Sequence, residues 1–315
     1  METFTFRAMN TSVLLAVDGD SYSAIGLQEV RTAINSFEAR FSRFQTTSEL
    51  SQLNRSSGEP VRVSADLMEM LDLALRYHRS TNGLFDPSIL NDLKRVGYDR
   101  SMDQLHAGSV PSSQASASQP APKPAFTSLE LDHLNRSVRL PPGMQIDLGG
   151  IAKGWIVERA ARILNQYADV CAVNAGGDIF FIGEPLDGFG WEVYLEDPRE
   201  AAQVLIPLHV RSDAVATSST TKRAWKQGGE TRHHLIDPRT GLPAESDWVS
   251  VTVFGASPVK AEVFAKALLI GGAGEAESLL EAHPDLAYLA VDRNGQLSGS
   301  QNYKEYVYEF EIHPR

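Results

Sequence analysis

Residues 146–183 read IDLGGIAKGWIVERAARILNQYADVCAVNAGGDIFFIG, and the order of elements in that stretch decides the fold class. A short strand runs into Ile146-Asp147-Leu148 and breaks at Gly149-Gly150, and a helix from about Ile151 to Tyr167 follows. Two β-branched and aromatic runs, 169–174 and 178–183, come next. Gly176-Gly177 between them marks a bulge or tight turn where a backbone or a flat ligand approaches, or simply a glycine-rich connection. Working outward, residues 3–17 are strand-like, and Leu27, Val30, Ile34, Phe37, Phe41 and Phe44 recur in steps of three and four as one apolar helix face. Ser64 is the N-cap of a second helix that carries Leu67, Leu71, Leu75 and Tyr77 inward and stops near Gly83. A hairpin-like pair occupies Leu129–Leu140, and further strand runs are 191–196, 204–210 and 248–254. Helices at about 258–270 and 275–282, then a hairpin turning at Asn294-Gly295, complete the chain. Strands and helices mix without regular βαβ alternation, so the expected class is α+β with a largely antiparallel sheet. No internal repeat is visible. Residues 1–315 are read as a single domain with a flexible Ser/Pro/Ala-rich loop at 107–125, too poor in apolar surface to order itself. A domain boundary there is the alternative.

Forty acidic against 29 basic residues give a net charge of −11. That balance disfavours nucleic acid and anionic membranes as main partners, since both require a positive footprint, but permits a local cationic pocket. No apolar run approaches the ~20 residues of a membrane span. Met1 to Arg7 has no signal-peptide pattern, and the expected location is cytoplasmic. The one cysteine, Cys171, lies in an apolar run and reads as a buried structural thiol.

Several segments carry side chains suited to chemistry, each with a plainer reading beside it. Arg232-His233-His234-Leu235-Ile236-Asp237-Pro238-Arg239-Thr240-Gly241 sets an imidazole before a tight turn, downstream of Thr217-Ser218-Ser219-Thr220-Thr221. Proton transfer and a self-capped β-turn fit it equally. Asp147-Leu148-Gly149-Gly150-Ile151-Ala152-Lys153-Gly154 offers helix N-terminal amides and a lysine to a phosphate, or is a glycine turn with a solvated lysine. Gly83-Leu84-Phe85-Asp86-Pro87 holds a carboxylate in extended geometry before proline, or is a turn with an aromatic plug. Glu262 and Lys266 stand four apart on one helix face, as in an exposed ion pair.

Taken in order with Met9-Asn10-Thr11, Phe41-Ser42-Arg43-Phe44, Ser48 to Asn54, Val173 to Asp178 and Ala216-Thr217-Ser218, these segments resemble the ApbE family of FAD:protein FMN transferases. The resemblance spans the chain apart from the 107–125 loop and the C-terminal tail. It implies an α+β, T-fold-related architecture with FAD in a cleft. It also implies cleavage of the FAD pyrophosphate, attachment of FMN through a phosphoester to Thr or Ser of a flavoprotein, and release of AMP with magnesium assisting. By position, Met9, Phe44, Leu84, Phe85, Asp86, Asp147, Lys153, Asn174, Gly176, Gly177, Thr217, Ser218 and Asp237 are then FAD-binding, and His234 is the base. The family holds its metal by a backbone carbonyl, which falls on Gly150, and by Asp and Thr, which are here Glu262 and Lys266. Glutamate is a hard oxygen ligand; lysine has no acceptor and cannot bind a cation. Either the Lys266 ammonium stands in for magnesium, or metal binding is weak and the chain binds FAD without efficient transfer. Hydrolysis of FAD to FMN and AMP is a third option. Asn10 and Ser219 replace the glycines of the family's Met-Gly-Thr and Thr-Ser-Gly. The family often carries a lipoprotein export signal, and none is seen here.

Overall fold

The computed structural model describes residues 1–18, 23–107, 123–185, 190–200, 203–210, 213–227 and 229–308. Its frame is an eight-stranded sheet whose spatial order follows the chain: β1 (Glu2–Ala8), β2 (Thr11–Asp18), β3 (Val170–Ala175), β4 (Asp178–Ile182), β5 (Ala214–Ser219), β6 (Trp248–Gly255), β7 (Ala287–Asp292) and β8 (Leu297–Gly299). Every neighbouring pair is antiparallel, as the α+β reading expected. The strand-like run 3–17 is a hairpin rather than one strand. Ala8 pairs with Thr11, so Met9 and Asn10, at φ of 54° and 55°, form a two-residue turn. Two successive left-handed residues give the turn twist that matches paired strands.

Successive side chains leave a strand on opposite faces, and here both faces are covered. Val13, Leu15, Val173, Val251 and Val253 enter one core beneath the helices. Ala16, Ala172, Phe181 and Phe254 enter a second core with Trp191, Leu195 and Leu208. That second layer is a three-stranded sheet of Trp191–Glu196, Val204–Val210 and Val307–Tyr308. The helices are α1 (Ser23–Phe41), α2 (Glu49–Asn54), α3 (Ala65–Ser80), α4 (Leu90–Arg95), α5 (Met102–Ala107), α6 (Ala152–Leu164), α7 (Pro258–Gly271) and α8 (Ala273–Glu281). Nearly every face of α7 is buried. Among the described residues no helix is long and apolar enough to cross a membrane. Cys171 is buried, and burial pushes its thiol up to about 12, which leaves it unreactive.

Two local readings change, and one segment left unassigned finds its place. Helix α1 stops at Phe41, and Phe44, expected on its apolar face, lies beyond the end. Ile146-Asp147-Leu148 is extended but unpaired with any strand. Its backbone is satisfied by the Asn54 side chain, which donates to Ile146 O (2.8 Å) and accepts from Ile146 N (2.7 Å), while Asp147 N donates to Pro87 O (2.8 Å). The hydroxyl cluster around Thr217 belongs to β5, a central strand between β4 and β6. Of the 107–125 loop, residues 108–122 lie outside the described residues; Ala107 ends α5.

Candidate active site

Three regions far apart in sequence converge on one cleft. The first is the turn after α1. Released from the helix, Arg43 donates from Nη1 to Tyr98 O (2.9 Å), and its Nε lies 3.4 Å from Asp147 Oδ2. Its guanidinium sits 4.2 Å from the Phe44 ring centre and 4.5 Å from that of Tyr98, within cation–π range. The second region is Leu84 to Ile89 after α3, together with Asp147 to Lys153 leading into α6. The third supplies Arg223, His234 and, from α7, Lys266.

Two adjoining cavities share Arg43, Phe44, Tyr98, Asp147, Gly149 and Arg223. The first cavity continues to Leu84, Phe85, Asp86, Gly150, His234 and Lys266; the second continues to Met9, Ala152, Lys153 and Ile156.

The polar groups divide into paired and unpaired sets. Asp147 accepts from Gly149 N (2.9 Å) as well as facing Arg43. Asp86 accepts from Ser88 N and Oγ (2.7 and 2.6 Å) and pairs with Lys123 at 3.2 Å. Lys153 pairs with Asp178 and lies 3.8 Å from Glu262 Oε1. Glu262 accepts from Gly154 N at 2.8 Å, and burial pushes its carboxyl up to about 7 against the pull of Lys153. Arg223 and Lys266 line the cavity, and among the described residues neither forms an ion pair. His234 donates its backbone N–H to Arg223 O (3.2 Å) and presents its ring to the edge of Tyr98 at 6.5 Å. Burial, then the charges of Arg223 and Lys266, hold its imidazole well below 6.5, so it is neutral at pH 7.

Of the residues picked from sequence, Met9, Phe44, Leu84, Phe85, Asp86, Asp147, Gly150, Lys153, His234 and Lys266 line the cleft. The others do not. Asn174, Gly176 and Gly177 form the β3–β4 turn, where Gly177 N donates to Asn174 Oδ1 (2.9 Å) and a Cβ on Gly176 would strike Thr11 Oγ1. Thr217 is bound within the sheet to Thr252 (2.9 Å), and Ser218 is buried. Asp237 turns to Arg239, 2.8 Å from Nη2. Arg43, Tyr98 and Arg223 had no assigned role; Tyr98 and Arg223 belong to no motif that would have marked them.

Gly150, Glu262 and Lys266 do not fit a magnesium ion, which takes hard oxygen donors. Glu262 Oε2 accepts from Gly154 N and Oε1 is left without a hydrogen-bond partner, but Lys266, at the remaining position, offers no acceptor. Among the described residues no three Asp, Glu, His or Cys side chains gather as a ligand set.

The same chain resembles known proteins along most of its length. A protein named FAD:protein FMN transferase from Treponema pallidum is 30% identical over 289 residues, 84% of this chain and 76% of the relative. One of the same description from Vibrio cholerae is 28% identical over 89% of this chain and 84% of its own length. The solved ApbE protein of Thermotoga maritima superposes over 98% of this chain and 99% of its own, with a TM-score of 0.81 at 23% identity, and so shares the fold. The family profile that matches residues 9–290 takes in all three regions of the cleft, from Met9 to Lys266: the chain belongs to the ApbE family.

Proposed function

We propose that this chain is an FAD:protein FMN transferase acting on a Thr or Ser hydroxyl of a partner flavoprotein. The relatives' shared description supports the activity. The observation that carries the site is a neutral imidazole, His234, set in one cleft with the unpaired cations Arg223 and Lys266. The acceptor oxygen attacks the phosphorus on the flavin side, a new P–O ester bond forms, and the bond to the AMP phosphate oxygen breaks. His234 takes the proton of the attacking hydroxyl, and AMP leaves as the anion. Phosphoryl-type transfer depends mostly on positioning and on neutralising oxygen charge, the part assigned to Arg223, Lys266 and Lys153. Met9, Phe44 and Tyr98 give apolar and aromatic surface for the flavin ring. The cleft draws on residues from 9 to 266, so the chain works as one domain.

Incubation with FAD and a flavoprotein acceptor should yield an acceptor heavier by FMN and an equal amount of AMP. His234→Gln should slow transfer by ~10²–10⁴-fold while FAD binding, read by flavin fluorescence, persists. Transfer by His234→Gln at the wild-type rate sinks the base assignment; AMP without adduct points to hydrolysis instead.

A further inference from the structure

Lys266 leaves α7 one turn after Glu262, and the two side chains part company. A Cβ built on Gly150 would lie 2.5 Å from Lys266 Cε, 3.2 Å from its Cδ and 3.1 Å from Phe85 Cε2. The lysine stem therefore lies against the Gly150 backbone, at the amides that open α6. Glu262 instead accepts from Gly154 N on the first turn of α6 and faces Lys153, which in turn holds Asp178. One lysine thus faces both buried carboxylates; Glu262 Oε1 and Asp178 Oδ1 have no hydrogen-bond partner, and neither residue lines the cleft. The carboxylates that line it, Asp86 and Asp147, are paired, but two of its cations are unmatched. Arg223 and Lys266 have no ion pair among the described residues, and Arg43, 5% exposed, has a buried Nη2 with no hydrogen-bond partner. Unpaired charge in a half-buried cleft is costly unless something completes it, and here the missing partner is an anion.

We propose that the diphosphate bridge of FAD is gripped without a divalent metal: the Lys266 ammonium over Gly150, with Arg223 beside it, supplies the charge that neutralises the doubly charged bridge. Two further features suit this. At Lys266 the site offers a nitrogen donor where a metal needs an oxygen acceptor. An ammonium in a water-poor cleft acts on phosphate oxygens far more strongly than it does in bulk water. The assignment of FAD rests on the transferase reading; the absence of a metal requirement does not.

The test is FAD titration of the full chain, in excess EDTA and in excess magnesium, followed by flavin fluorescence. The dissociation constant should agree within about twofold between the two conditions, because the side chains carry the charge. Lys266→Met, which keeps the stem and removes the charge, should weaken FAD by about tenfold or more in both conditions, and Lys266→Arg should restore most of it. Manganese, followed by its electron paramagnetic resonance, should remain free in the presence of protein and FAD. Affinity that collapses in EDTA and returns with magnesium, stoichiometric manganese uptake, or a Lys266→Met variant that binds as well as wild type each overturns the proposal. If wild type binds FAD equally in both conditions yet never releases AMP with an acceptor, the metal-free grip stands and the transferase reading fails.

Discussion

His234 is neutral at pH 7 because protein surrounds its ring and two cations stand beside it, and this affects stability and catalysis in different ways. Its folded-state pKa lies below the ~6.5 of an unfolded histidine. As pH falls through ~6.5 the unfolded chain takes up the proton first, so stability is fully present above that value and is lost as pH falls toward the folded pKa. His233, also lowered by burial, acts in the same direction. Urea midpoints should therefore decline from pH 7 to pH 5, and His234→Gln should make that decline shallower. An unchanged slope would show that His234 titrates normally. In the kinetics, the acid limb of kcat/KM reports the free protein and should lie below pH ~6.5. FAD brings negative charge to Arg223 and Lys266 and removes part of what depresses the imidazole, so the limb of kcat should lie higher than that of kcat/KM. Coincident limbs would separate His234 from the cations that line the cleft with it.

The elements that place these side chains meet where α6 crosses α7. A Cβ on Gly154 would approach Pro258 O at 2.5 Å, Pro258 C at 2.8 Å and Val259 Cα at 2.9 Å, all of them backbone atoms that cannot swing aside. Gly154→Ala should force the helices apart and cost ~1–3 kcal/mol, read as a lower urea midpoint. It should also weaken FAD, since Lys153 and the Gly154–Glu262 bond sit at the same crossing. A variant of native stability would mean that the helices slide without strain. How far such elements were legible depended on where their hydrogen bonds go. Helix α3 was readable from its cap, and Ser64 Oγ does accept from Leu67 N at 3.1 Å. Helix α7 begins at a Ser257 cap with Pro258 in its first turn. The strand assigned to Ile146-Asp147-Leu148 failed because its backbone partners are a side chain, Asn54, and Pro87, neither of which a local pattern reveals. Strand β5 was hidden because Thr217, Ser218 and Ser219 look like a polar loop. Their place in mid-sheet comes from pairing with β6, some 35 residues on. Phe44 continued the apolar spacing of α1, but Arg43 is drawn to Tyr98 and Asp147, and the chain leaves the helix there.

At the scale of the molecule, the site was legible where motifs end elements and illegible where only tertiary convergence brings residues together. Asp147, Lys153 and His234 sit in readable motifs. Tyr98 and Arg223 enter the cleft because Tyr98 stacks on Trp225 (5.3 Å between ring centres), a contact between regions that share no motif. The same scale sets a conflict in the electrostatics. The chain carries a net charge of −11, while the cleft offers the unpaired cations Arg223 and Lys266. A dianionic dinucleotide is thus repelled at long range and attracted only once inside. Raising ionic strength from ~0.01 to ~0.1 M shortens the Debye length from ~30 to ~10 Å, which screens the outer repulsion but scarcely reaches buried charges. The association rate of FAD should then rise by about two- to fivefold over that interval, with little change in dissociation. A basic patch on an open surface would behave the opposite way, its association rate falling steeply with salt. Stopped-flow flavin quenching distinguishes the two: a falling rate would place the cations that meet FAD outside the cleft and detach Lys266 and Arg223 from the binding step.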